Sequence, residues 1–331
     1  MFKKSDIIEK GYIDEAIAPG TDILSEIRRM RKEKNAVILA HYYQTADIQE
    51  LADFVDDSLE LSRKAASASA DIIIFAGVKF MAETAKILSP ETKVLLPDLN
   101  ANCSLADTCP PEDFKKFVSD NPGRTVISYI NSSVEIKALS DIICTSSNAY
   151  KIIESLPVEE RIIFAPDRNL GAYIADKVDR DIIMWQGACH VHENISVEAI
   201  LDLKEKNPDA GIIVHPECET PVRKMADFIG STGALLRYIN TDDAKKYIIG
   251  TEPGIIHQMK KLRPDKIFLS VEGRDESCRC NECNYMKLIT MKKIYLTLKY
   301  EEPEILIEKD LIGKAAKPIR KMLDISDRLG L

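Results

Sequence analysis

The chain has 331 residues, 45% of them hydrophobic and 30% charged, and a formal net charge of −8, which describes an ordinary globular protein of two or three domains. The acidic balance and the lack of a Lys/Arg run argue against a nucleic-acid partner, and no apolar run approaches the roughly 18 residues of a membrane span. The opening MFKKSDIIEK lacks the apolar core of an export signal, so the reading is a cytoplasmic protein whose eight cysteines bind metal or react rather than form structural disulfides.

Residues 1–35 read as a helical lead-in: Ile7, Ile8, Ile13, Ala16 and Ile17 keep helical spacing, Pro19-Gly20 breaks it, and Thr21-Asp22 caps a second helix. Residues 36–121 give the strand AVILAHYYQ, a helix over 48–70, the strand DIIIFAG, the helix FMAETAKIL and the strand KVLLPD, with Cys103 in the loop beyond. Residues 122–208 repeat the alternation with TVISYIN, DIICTS, RIIFAPD and DIIMWQG, then Cys189. Residues 209–291 do so again with GIIVHPE, DFIGS, KYIIGTEPG and KIFLSV, then SCRCNECNYM. Residues 292–331 show helical periodicity at Ile312, Ala315, Ile319 and Met322 and pack back on the core. Strands alternating with helices imply an α/β protein with short parallel sheets covered on both faces.

The first strand of each unit ends in polar or titratable groups: His41 and Tyr43, Tyr129 and Asn131, His215 and Glu217. His41, Tyr129 and His215 recur at intervals of 88 and 86 residues, and Cys103, Cys189 and Cys283 at 86 and 94. Open α/β sheets bind ligands at the carboxyl ends of their strands, which gathers these groups with Ser58, Ser146 and Ser231-Thr232 at helix starts, where N–H groups favour anions. A Ser or Thr before a helix is ordinarily an N-cap, and a strand-end Tyr ordinarily packs. Repetition in three units shifts the balance toward one shared site for a small dicarboxylate.

Cys109 and Cys218 have no repeating counterpart, and Cys144 falls inside a strand as a small core hydrophobe. Cys278, Cys280 and Cys283 by themselves suggest half a zinc site or a redox pair. One thiol per unit at 103, 189 and 283 suggests instead an iron–sulfur cluster with one iron lacking a protein ligand, an arrangement for Lewis-acid catalysis.

From about Ala36 to Met286 the chain resembles the quinolinate synthase family, on AHYYQ with DSLELS, GVKFMAETAKIL, NCSLAD, SYINSS, CTSSNA, GACHVHE, HPEC, GSTGA and CNECNYM. The resemblance implies three pseudo-symmetric αβα (three-layer) domains around a central [4Fe-4S] cluster held by Cys103, Cys189 and Cys283. It implies condensation of iminoaspartate (iminosuccinate) with dihydroxyacetone phosphate to quinolinate in de novo NAD biosynthesis, the imine coming from an L-aspartate oxidase or dehydrogenase. His41, Ser58, Tyr129, Ile130, Asn131, Ser146, His215, Pro216, Glu217 and Thr232 would bind substrate. Tyr43, His192 and Glu217, with His41 and His215, would transfer and position protons. Some members carry C-x-x-C-x-x-C where this chain has Ser277 and Cys278, so the resemblance leaves a regulatory disulfide of Cys278 and Cys280 open. Tyr42 replaces an Asn of some relatives and is given no role. The competing readings are another open-iron hydro-lyase acting on a small dicarboxylate, and a metal or redox sensor built on the late cysteines.

Overall fold

The computed structural model describes residues 4–274 and 280–331, and Cys278 lies outside them. The chain divides into two compact units, Met1–Cys103 with Asn284–Ala316 and Ser104–Cys283 with Lys317–Leu331.

The first unit holds one parallel sheet made of β1 (Ala36–His41), β2 (Phe54–Asp56), β3 (Ile72–Ala76) and β4 (Lys93–Leu95), in the order β2-β1-β3-β4. Its central strands are runs of β-branched and other apolar residues because helices cover both faces. Ile38, Leu39, Ile73 and Ile74 are fully buried. Helix Ile23–Glu33 is capped by Asp22, whose carboxylate accepts the Ser25 N–H at 3.1 Å. It packs on helix Met291–Tyr300 and buries Ile27 and Met30, so this part of the lead-in is core.

The second unit holds two further parallel sheets. One joins β5 (Thr125–Tyr129), β6 (Ile142–Cys144), β7 (Ile162–Ala165) and β8 (Ile182–Met184); the other joins β9 (Gly211–Val214), β10 (Phe228–Ile229), β11 (Lys246–Gly250) and β12 (Ile267–Ser270). Their orders, β6-β5-β7-β8 and β10-β9-β11-β12, repeat that of the first sheet. Three αβα repeats of one topology make up the α/β fold, as the alternation of strands and helices predicts. No helix among the described residues is long and apolar enough to cross a membrane.

The structure corrects two elements. In the lead-in the first helix ends at Lys10, so Ile13, Ala16 and Ile17 lie in irregular chain rather than on a helix. The helix expected over 48–70 is split into helix Ala46–Leu51, β2 and helix Ser58–Ser67. Two carboxylates interrupt it. Asp53 binds the β1 backbone, and Asp57 caps the second helix by accepting the Leu59 and Glu60 N–H groups.

Asp53 belongs to a device made three times. Its carboxylate accepts the Ile38 N–H at 2.9 Å, that of Asp141 the Val126 N–H at 2.8 Å, and that of Asp227 the Ile212 N–H at 2.7 Å. In each case the aspartate's own N–H returns to the carbonyl of the same strand residue. The aspartate thereby registers the second strand of each repeat against the first. Asp141→Ala and Asp227→Ala each remove a charge-assisted bond at a partly exposed position and should cost about 1–2 kcal/mol in urea unfolding. Losses below a few tenths would reduce the device to a surface contact.

Candidate active site

In the second unit the polar tips of two sheets meet on one carboxylate. β9 ends at Val214, and His215-Pro216-Glu217 turns directly beyond it, all three buried. Glu217 Oε1 accepts the Tyr129 hydroxyl from the end of β5 at 2.5 Å. Glu217 Oε2 lies 3.0 Å from His192 Nδ1, an ion-pair contact with both side chains 3% exposed. His192 stands in the short helix His190–Glu193, three residues after Cys189, a spacing that puts both on one side of the turn. Its Nε2 is 2.9 Å from Thr251 Oγ1, just past the end of β11. His215 Nε2 is 3.2 Å from Ser146 Oγ, in the turn that follows β6.

The tautomers follow from these partners. His215 Nδ1 accepts the Glu217 N–H at 3.3 Å, so its proton sits on Nε2 and faces Ser146. The 3.7 Å separation of His215 Nδ1 and Glu217 Oε1 is therefore proximity, not a hydrogen bond. His192 turns Nδ1 to a carboxylate that only accepts, so that nitrogen carries the proton. The two imidazoles stack at 4.6 Å and 26°.

Burial pushes the Glu217 carboxyl up, but the facing imidazoles of His192 and His215 and the hydrogen bonds from His192 and Tyr129 hold it well below the usual carboxylate range. Asp167, also fully buried, is raised well above its ordinary value, by burial first and then by the charge of Glu217. The two neighbouring carboxyls are thus pushed in opposite directions. Cys189 Sγ, a His192 nitrogen and a Glu217 oxygen all lie within 4.8 Å of one another, a group that can hold a metal ion.

Other predicted residues stand near the same strand ends. Ile130 extends the β5–β6 ladder through its N–H to Cys144 O at 2.8 Å. Asn131 Oδ1 is buried with no hydrogen-bond partner, and Thr232 is buried at the start of helix Thr232–Thr241 behind the Ser231 cap. Sequence reasoning missed Asp167, Thr251, Glu252 and Arg223. The first three follow third strands, where the strand-end rule applies equally. Buried Arg223 donates to Cys218 O at 2.5 Å and Asn169 O at 3.1 Å, bracing the turn that carries Glu217.

In the first unit His41 repeats the His215 device, its Nδ1 accepting the Tyr43 N–H at 3.2 Å. The two rings meet edge to face at 4.5 Å, and Lys287 Nζ holds Tyr43 O at 2.7 Å. Tyr42 donates to Asp56 at 2.9 Å, a structural role. Ser58 does not cap its helix, because Asp57 does.

A family model described as Quinolinate synthetase A protein matches residues 25–324. Quinolinate synthases of Microcystis aeruginosa and of a Nostoc species are each 55% identical to this chain, over 92% of it and 95% and 94% of their own lengths. That of Chloroherpeton thalassium is 54% identical over 92% of this chain and 95% of its own. The chain belongs to the quinolinate synthetase A family.

In this family member the described cysteines differ in burial, and Cys280 is exposed. Cys109, Cys144 and Cys218 are buried, and burial pushes their thiols up, that of Cys109 to about 12. Cys103, Cys189 and Cys283 are half-buried, in loops beyond strands, and none forms a disulfide. Within the second unit Cys189, with His192 and Glu217, is the cysteine already placed in a group that can hold a metal ion.

Asp57 gives a test of site electrostatics. Burial and then the charge of Asp56 raise its pKa from 3.8 to about 6. The folded value exceeds the unfolded one, so between about pH 4 and pH 6 the folded chain keeps a proton that the unfolded chain loses, and stability falls as pH rises. Asp57→Asn keeps a capping oxygen and should flatten that fall by up to about 3 kcal/mol in urea titrations at stepped pH. An unchanged slope would assign the proton elsewhere.

Proposed function

We propose that this protein is a quinolinate synthase, a transferase that condenses iminoaspartate (iminosuccinate) with dihydroxyacetone phosphate to quinolinate, releasing phosphate and two waters. The reaction is redox-neutral and serves de novo NAD biosynthesis. The imine would come from an L-aspartate oxidase or dehydrogenase, and thiols kept reduced suit a cytoplasmic enzyme. The observation that carries the reading is the buried Glu217–His192–His215–Tyr129 cluster beside Cys189, in a member of this family.

The cofactor is a [4Fe-4S] cluster held by Cys103, Cys189 and Cys283. With three thiolates one iron is left open, and the bound cluster supplies Lewis acidity toward a carboxylate or departing hydroxyl. The protein's own groups handle the protons. Ionised Glu217 accepts a proton as the imine becomes its enamine, and the Nδ1–H of His192, 3.0 Å away, orients and steadies that carboxylate. The enamine carbon then displaces phosphate, and the remaining hydroxyketone isomerises to a hydroxyaldehyde, which moves the carbonyl to the end carbon. The nitrogen closes there with loss of one water, and loss of the second makes the six-membered ring aromatic. His215 Nε2 and Ser146 Oγ, and the buried Asn131 Oδ1, orient the substrate's polar groups. Tyr129 keeps Glu217 ionised until it is needed. The family resemblance adds His41 and Tyr43 to proton transfer and Ser58, Ile130, Pro216 and Thr232 to substrate binding.

Anaerobic reconstitution with iron and sulfide should give a four-iron cluster and quinolinate from iminoaspartate and dihydroxyacetone phosphate. A cluster without quinolinate would favour another open-iron hydro-lyase, and stoichiometric zinc without a cluster would overturn the reading. Glu217→Gln should keep its iron and lose about 100-fold or more in kcat, whereas Cys283→Ser should lose cluster and activity together. Full turnover in Glu217→Gln would remove that carboxylate from the chemistry. Tyr43→Phe at parental turnover would do the same for that hydroxyl.

A further inference from the structure

The third strands of the second and third repeats end alike. β7 runs into Pro166-Asp167 and β11 into Thr251-Glu252, so each carboxylate stands two residues past the strand. Both residues are fully buried. Each carboxylate also serves the start of the next helix: Asp167 Oδ1 accepts the Leu170 N–H at 2.6 Å, and Glu252 Oε2 the Gly254 N–H at 2.7 Å.

Glu252 then reaches the main chain of a half-buried cysteine: its Oε1 accepts the Cys283 N–H at 3.3 Å, across 31 residues of sequence. The Cys189 N–H stands close enough to Asp167 to favour the charged form of its carboxyl, although Asp167 Oδ2 is buried without a hydrogen-bond partner. The Cys189 turn is tied to the same segment by Arg168 N–H to Gly187 O at 2.8 Å and Gly187 N–H to Pro166 O at 3.1 Å. That approach needs a glycine, since a Cβ on Gly187 would sit 2.2 Å from Thr108 Oγ1 and 2.7 Å from Pro166 O. In the first repeat the equivalent residue is Val78, and helix Lys79–Leu88 has no side-chain cap. There the helix start donates instead, Lys79 N–H to Ala101 O at 2.7 Å, two residues before Cys103.

A buried acidic side chain is costly to leave unmet, and here two in matched positions stand against cysteine turns, one bonded to the Cys283 amide and the other on the segment that ties down the Cys189 turn. We propose that Asp167 and Glu252 are positioning residues that hold the turns of Cys189 and Cys283 ready for metal before any metal arrives. Groups outside the ligand set commonly fix ligand orientation and, when removed, cost about 10–100-fold in metal affinity. The metal part of this inference rests on reading those thiols as cluster ligands; the positioning part does not.

The test begins with metal-free full-length protein, labelled with iodoacetamide and followed by mass spectrometry at each thiol. Glu252→Ala should speed labelling of Cys283 about tenfold relative to Cys189 in the same molecule. Asp167→Ser, which keeps a helix cap but shortens the reach, should do the reverse. Glu252→Gln and Asp167→Asn keep an accepting oxygen and should change either rate less than about threefold. After reconstitution, the Ala and Ser variants should release iron to a chelator at least about tenfold faster than the parent. Both thiols speeding together, or parental iron retention in both variants, would overturn the proposal. If a variant fails to fold, amide hydrogen exchange in the metal-free parent decides: Cys189 and Cys283 amides should exchange at least about tenfold more slowly than unprotected amides. A parent that takes up no cluster sinks the cofactor reading and leaves the labelling pattern to decide this one.

Discussion

The site in the second unit depends on keeping one negative charge inside the protein. A lone carboxylate at the depth of Glu217 would simply take a proton. It stays ionised because Tyr129, His192 and His215 reach it from three separate segments. Its charge adds to burial in pushing the Asp167 carboxyl up and sets which nitrogen of His192 carries hydrogen. Moving any one of these groups would change the protonation of the others. The arrangement therefore acts as a unit rather than as a sum of contacts.

Repetition supplies the frame for that unit, and departures from repetition supply the chemistry. All three sheets share one strand order, and all three first strands are clamped by an aspartate fifteen residues on. His41 and His215 both accept the N–H two residues further along, which fixes their tautomers alike. The second repeat breaks the series with Tyr129, which donates where a histidine would compete for the same carboxylate. Asp167 and Glu252 likewise have no counterpart at Val78. A symmetric scaffold carries an asymmetric set of donors and acceptors.

Much of the fold was legible because buried parallel strands are short apolar runs with polar ends. β2 was not, since Ile48, Leu51, Phe54, Val55, Leu59 and Leu61 also satisfy a helical period. The internal repeat held the remedy: DFVDDS stands where the other units have DIICTS and DFIGST, and those segments read as strands. Candidate residues could be gathered by the strand-end rule, but not their pairings. That Tyr129 meets Glu217, and His192 meets Thr251, depends on packing across tens of residues. Thr251 and Glu252 were in view in KYIIGTEPG, yet a polar residue after a third strand carries no periodic signal of its own.

Cys218 shows why burial, not proximity, sorts the cysteines. It follows Glu217 directly and would be the obvious thiol to recruit by position alone. Its sulfur instead donates to Gly250 O at 3.2 Å within the core of the third repeat. Burial and then the neighbouring Glu217 charge push its thiol up, because a thiolate there would be desolvated beside an anion. Burial holds it neutral, and the ionised Glu217 beside it adds to that. Cys189 escapes that constraint by standing half-buried at the start of a short helix. The fold thus places two thiols around one carboxylate and lets the local dielectric decide which of them can bind metal.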